Sequence, residues 1–252
     1  MAATQQLLDD FDLYGYAVLP AVVPADDVAA MSRVLMPLLE AQPGYESQDS
    51  VGRQGLLNDH PVFDALLVNE THHSVARHMF DGRYKFGETG VVLSKAGRRH
   101  LGFHFDVPYG SFASSRSGIP EAGLILQAIY TLTDFTKENG ATRILPLSHH
   151  MHGSGIPHPK GNTDYRHAVS VEAPAGSIIL FHGRLWHTAA DNLSAHDRLG
   201  ISVVYVHPTV DTVVCGWNPI RQDAVDRQPE FVRETMFGSV IAHLPSGQAG
   251  RL

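Results

Sequence analysis

Gly102-Phe103-His104-Phe105-Asp106 and, about eighty residues later, Leu185-Trp186-His187 are the stretches on which the reading of this chain turns. His-x-Asp sets an imidazole and a carboxylate at i and i+2. Alternate side chains of an extended chain leave the same face, so the two groups converge on one point. A later histidine on a neighbouring strand completes two imidazoles and one carboxylate. Such a set covers one side of a ferrous ion and leaves the other side open for chemistry. With sixteen histidines and twenty-six acidic residues, a His-x-Asp also arises by chance, so its surroundings decide its weight.

Outward from these stretches the texture is β-rich. From Tyr84 on, short apolar runs are punctuated by Gly, Pro and Asn: Phe86 to Leu93, Leu101 to Asp106, Leu124 to Thr133, Thr142 to Leu145, Val169 to Val171, Ser177 to Phe181, Trp186 to Ala190 and Leu199 to Val206. Many short strands with turn signals between them predict an antiparallel sandwich or barrel, and eight suffice for a jelly roll with a ligand site in its mouth. Residues before Tyr84 read as helices. Thr4 to Leu13 has a Thr cap and ends at Gly15, before a short strand Tyr16 to Leu19. A second helix opens near Pro24, carries Val28, Met31, Leu35, Leu38 and Leu39 on one face, and is expected to kink or stop at Pro37. Pro61 to Val68, Thr71 to Met79 behind a Thr cap, and Pro229 to His243 are further expected helices. Pro108 to Ala122, Ser148 to Arg166 and His207 to Arg227 are long connections of the kind that form lids. The expected organisation is one domain, 1–252: a mostly helical elaboration over 1–83, a β core over 84–206, and a loop and helix over 207–252.

Composition excludes several function classes. The net charge of −7 with no basic block argues against nucleic acid or anionic membranes as partners. Cys215 is the single cysteine, so no intrachain disulfide forms and a reducing compartment suits the chain. No apolar run approaches the ~20 residues of a membrane span. Met1 to Asp10 is polar and acidic, unlike a signal peptide, and the expected location is cytoplasmic. Self-association stays open.

The chain resembles the phytanoyl-CoA dioxygenase family of Fe(II)/2-oxoglutarate-dependent oxygenases over most of its length. The resemblance rests on Phe11-x-x-x-Gly15-Tyr16-Ala17-Val18-Leu19-Pro20, His104-Phe105-Asp106, Leu126-Gln127-Ala128-Ile129-Tyr130, Asn139-Gly140-Ala141-Thr142-Arg143-Ile144-Leu145-Pro146-Leu147-Ser148-His149, the run Gly176 to His187, Asn192 and Arg198, in that order. It implies a mainly β fold with flanking α-helices, a double-stranded β-helix (jelly-roll, cupin-like) barrel. In it His104, Asp106 and His187 would hold Fe(II), while Arg198, eleven residues after His187, would pair with the remote carboxylate of 2-oxoglutarate. His100 and His182 are nearby alternatives to the histidine ligands, and Arg143 and Arg184 compete with Arg198. Thr142 and Gln127 match positions that line the family's cosubstrate pocket, though either can instead satisfy backbone groups. His149-His150-x-His152 reads as a polar start to a lid, with a second metal site as the alternative. Two departures stand out. The usual Pro-Gly-Ser-His turn reads Pro146-Leu147-Ser148-His149, and Leu101-Gly102 stand where some relatives place a Gln before His-x-Asp.

The implied reaction couples oxidative decarboxylation of 2-oxoglutarate, with O2, to oxidation of an unactivated C–H bond of a small molecule, releasing succinate and CO2. The product class is hydroxylation, desaturation or cyclisation, since halogenating relatives lack the carboxylate that Asp106 provides. Phe103, Tyr109 and Trp217 are the candidate substrate contacts, with a natural-product intermediate as the expected substrate, and Trp186 is read as core. Two alternatives stand beside this: a jelly-roll binding module with a vestigial metal site, and a non-haem iron oxidase that does not use 2-oxoglutarate.

Overall fold

Two antiparallel sheets face each other, and helices cover the outer face of the larger. The computed structural model describes residues 2–45, 52–99, 102–106, 123–151, 164–212 and 217–237. The chain begins with α1 (Gln5–Tyr14), whose first turn is capped by the Thr4 hydroxyl and whose end is closed by Gly15 in the left-handed conformation. β1 (Tyr16–Leu19) follows, then α2 (Ala25–Glu40). Pro37 does not stop α2. It lies in the last turn, where one ladder bond is lost, and the buried stripe Val28, Met31, Leu35 and Leu39 holds the helix to Glu40. α3 (Leu56–Asp59) and a 3-10 turn at Pro61–Leu67 lead to α4 (Glu70–Met79), whose cap is Asn69 rather than Thr71: its side chain accepts from His72 N–H.

The larger sheet has the order β1, β6 (Ile178–His182), β3 (Ile125–Thr131), β8 (Arg198–Val206), β2 (Lys85–Ser94). The smaller is β5 (Val169–Ser170), β4 (Thr142–Leu145), β7 (Trp186–Ala189). Both faces of β3, β6 and β8 are covered, which is why these strands read as near-continuous apolar runs instead of alternating. The registers sort them. Leu126, Ala128, Tyr130, Ile178, Leu180, Ile201, Val203 and Tyr205 face the helices and join Leu35, Leu39, Phe63 and Val75 in the main core. Ile129, Ile179 and Phe181 face inward and pack with Ile144 and Val171 of the smaller sheet side.

The expected strand at residues 101–106 reduces, in the described part, to a single bridge, His104 with His187. The expected C-terminal helix is short. α6 (Glu230–Arg233) is its one helical turn among the described residues, and Thr235 O accepts from Phe86 N–H and draws the chain onto β2; α5 (Gln222–Asp226) lies before it, inside the stretch expected to be a long connection. Residues 238–252, Tyr109, His100, His152 and Cys215 lie outside the described residues. No helix among the described residues is long and apolar enough to cross a membrane.

Candidate metal centre

β7 and the His-x-Asp segment run antiparallel, and the bridge between them aligns the site. His104 N–H donates to His187 O at 3.0 Å and His187 N–H to His104 O at 2.8 Å, so the two residues sit directly opposite and present their rings on one face. Asp106, two residues on, emerges on that same face. Asp106 N–H is held by Gly183 O at 2.7 Å. One ligand atom from each of His104, Asp106 and His187 lies within 4.8 Å of the others, and this is the one such group of three among the described residues. The ring centroids of the two histidines are 4.4 Å apart.

Each imidazole is oriented by its own backbone. His187 Nδ1 lies 2.8 Å from Leu185 O and His104 Nδ1 lies 3.1 Å from Gly102 O. A carbonyl only accepts, so both Nδ1 atoms donate there and both Nε2 atoms are left to face the common point. His187 Nε2 is 3.6 Å from Asp106 Oδ2. Burial, opposed by the Asp106 charge and aided by His104, keeps the His187 imidazole below its ordinary pKa. It is therefore neutral at neutral pH, as a metal ligand must be. Two imidazoles and one carboxylate, with no thiolate, suit ferrous iron.

The facing sheet supplies the rest. Gln127 of β3 donates from Nε2 to Asp106 Oδ2 at 2.9 Å, so its described contact is with the carboxylate. Phe181 packs its ring 4.7 Å from that of His187. Arg198 opens β8 on the inner face. It is completely buried, its guanidinium lies over Phe135 at 4.3 Å, and Nε, Nη1 and Nη2 have no hydrogen-bond partner among the described residues. Burial, with repulsion from Arg98, pulls it down to about 10. A buried cation with three orphaned donors fits a carboxylate in the same space. Next on that face is Gly200, where a Cβ would come within 3.1 Å of Phe135 and Ile129, so a side chain there would crowd the guanidinium's support. Thr142 is buried on the inner face of β4, two residues before Ile144, the register partner of His187.

The competing residues fall elsewhere. Arg143 points to the outer face of the smaller sheet, ion-paired with Asp164 and lying over Phe103. Phe103 packs on that outer face with Leu145, Trp186 and Tyr165, one residue out of step with His104 and so turned away from the ligand atoms. Trp186 is buried in the same cluster. Trp217 lies against Gly87 and the inner-face cluster of Ile125, Val204 and Val206. His182 belongs to the outer face of the larger sheet, near His149. His149 and His150 both point Nε2 at Asp12 O, as structural partners of α1. Leu147 takes φ 68°, a left-handed backbone that favours Gly, in the turn where the family resemblance implied one. Glu88 was not singled out from sequence. Its buried carboxylate accepts from the N–H groups of Gly55, Thr89 and Asn218, and a lone Glu in a strand carries no signal of that.

A family model described as phytanoyl-CoA dioxygenase matches residues 11–200. An uncharacterized protein of Mycobacterium tuberculosis is 29% identical over 215 residues, which is 78% of this chain and 73% of that protein. Dioxygenase olcK of Penicillium canescens is 30% identical over 152 residues, 58% of this chain but 47% of that enzyme. Among solved structures, the epimerase SnoN in complex with Fe3+, α-ketoglutarate and nogalamycin RO superposes with a TM-score of 0.64 at 21% identity, covering 81% of this chain and 84% of that one. At that identity the likeness is one of fold.

Proposed function

Because the chain belongs to the phytanoyl-CoA dioxygenase family, we propose that it is an Fe(II)/2-oxoglutarate-dependent oxygenase, using O2 to oxidise a C–H bond of a small molecule with release of succinate and CO2. The observation that carries this reading is Arg198: a buried guanidinium whose three nitrogens have no hydrogen-bond partner among the described residues, inside the same pair of sheets as the three-ligand cluster. Stability alone does not favour such a group, whereas recognition of a planar dicarboxylic acid requires it.

His104 and His187 through Nε2, and Asp106 through its carboxylate, would hold the iron; Arg198, with Thr142 on the facing sheet, would hold the cosubstrate. Bound there, ferrous iron and the keto acid would supply the electrons that activate O2, which is the oxidant. The chain itself positions and excludes water. Paired backbone hydrogen bonds fix both histidines, and Phe181 walls the metal side with an apolar ring. Asp106 fills the place a halide would need, which favours hydroxylation, desaturation or ring closure. The neighbouring epimerase holds nogalamycin RO, and a natural-product scaffold is the substrate class proposed here.

Anaerobic addition of Fe(II) and then 2-oxoglutarate tests the reading. A weak visible charge-transfer band that vanishes in Arg198→Ala, followed by succinate release when substrate metabolites are screened, is the expected result. Iron binding with no band, or a band indifferent to Arg198→Ala, would exclude the 2-oxoglutarate chemistry.

A further inference from the structure

Gln127 sits in the middle of β3, and on the inner face its register partners are Phe181 on β6 and Val204 on β8. Ile125 and Ile129 flank it on the same face, so its surroundings are apolar. From there Nε2 crosses the gap between the sheets and donates to Asp106 Oδ2 at 2.9 Å. Among the described residues no other hydrogen bond reaches that carboxylate. The main chain at Asp106 is held by its N–H to Gly183 O at 2.7 Å, but that bond fixes the backbone and leaves the side-chain rotamer to other contacts. A carboxylate only accepts, so the amide must turn its NH2 toward Asp106 and its Oε1 away. That Oε1 is buried and accepts nothing among the described residues. An apolar side chain of the same length would avoid an orphaned acceptor, so packing is not what this glutamine serves.

Resting on the reading above, we infer that Gln127 is the positioning residue of the metal carboxylate. It locks the rotamer of Asp106 so that its oxygens face the two imidazole Nε2 atoms, and it ties the larger sheet to the ligand strand. Removal of a group that orients a metal ligand typically lowers metal affinity about 10–100-fold. A contact made by Gln127 to the cosubstrate would instead leave metal affinity unchanged and raise the cosubstrate requirement.

Those two signatures separate in one set of measurements on the full chain. Fe(II) is titrated anaerobically without 2-oxoglutarate into wild type, Gln127→Met and Gln127→Glu; the 2-oxoglutarate KM is then measured at saturating iron. Gln127→Met should bind Fe(II) roughly 10–100-fold more weakly, with an unchanged KM for 2-oxoglutarate and a metal-free Tm no lower than wild type. Gln127→Glu, which sets a carboxylate against a carboxylate, should lose at least as much affinity. Wild-type Fe(II) affinity in either folded variant, or a loss seen only as a raised 2-oxoglutarate KM, overturns the role. Failure of the wild type itself to bind Fe(II) sinks the parent reading with it, whereas tight wild-type binding and equally tight variants remove Gln127 alone.

Discussion

Arg198→Met should make the metal-free protein more stable while abolishing its response to 2-oxoglutarate. The guanidinium is fully buried, and burial, with Arg98 nearby, brings it from an ordinary 12.5 to about 10. At 1.36 kcal/mol per pKa unit, the charged form carries a penalty of roughly 3 kcal/mol in the fold. Stacking over Phe135 at 4.3 Å is lost with the charge. A cation over an aromatic face contributes about 0.5–2 kcal/mol, so the net gain for a long apolar replacement is about 1–2.5 kcal/mol. For a chain of this size that raises Tm by about 2–10 °C. The assay is thermal unfolding, followed without ligand and then anaerobically with Fe(II) and increasing 2-oxoglutarate. Wild type should start lower and climb as cosubstrate binds; Arg198→Met should start higher and stay level. A variant that melts below wild type without ligands, or climbs with 2-oxoglutarate as wild type does, refutes the assignment of Arg198 as a charge held for a carboxylate.

Two further outcomes follow from residues away from the candidate metal ligands. Burial lifts the Glu88 carboxyl from 4.5 to about 7, against the opposing pull of the Asn218, Thr89 and Gly55 N–H groups. The folded protein thus keeps a proton that the unfolded chain releases above 4.5, so this group's contribution to stability falls between about pH 5 and pH 7, by up to about 3 kcal/mol. Denaturant unfolding at pH 5 and pH 8 should show that fall in wild type relative to Glu88→Gln; an equal gap at both pH values contradicts it. Leu147→Gly should stabilise by about 1 kcal/mol, since the left-handed backbone costs an L-residue about 1–2 kcal/mol and glycine's extra chain entropy returns part of it. An unchanged or lower urea midpoint would mean the exposed Leu147 side chain contributes packing that outweighs the strain.

The parts of the site legible in sequence are those written as short local patterns. His104-x-Asp106 is such a pattern, because alternation along an extended chain puts both side chains on one face whatever lies beyond it. Arg198 became a candidate through the family resemblance, which implies an Arg eleven residues after His187, and the apolar run after it favoured an inward side chain. What escaped was whatever depends on the opposite sheet. Gln127 looked like a pocket residue, and its partner Asp106 became visible only with the gap between the sheets in view. Phe103 adjoins a metal-ligand candidate in sequence yet faces the other way, because neighbours on a strand always do. Glu88 gave no sign at all, since its three partners come from its own strand and two distant loops.

Helix caps and helix lengths divide along the same line. Thr4 and Gly15 act through bonds within one turn and were readable. The fate of Pro37 depended on whether the stripe around it was buried, and the early end of α6 on a bond to β2. Sequence alone determined most of the element types, the His-x-Asp face and the iron-compatible donor set, because periodicity and donor chemistry are local properties of the chain. Tertiary structure alone decided which histidine meets that face, that Arg198 is buried with no hydrogen-bond partner among the described residues while Arg143 lies outside, and which residue steadies Asp106. Those are settled by strand register and by the distance between two sheets, which no single stretch of chain encodes.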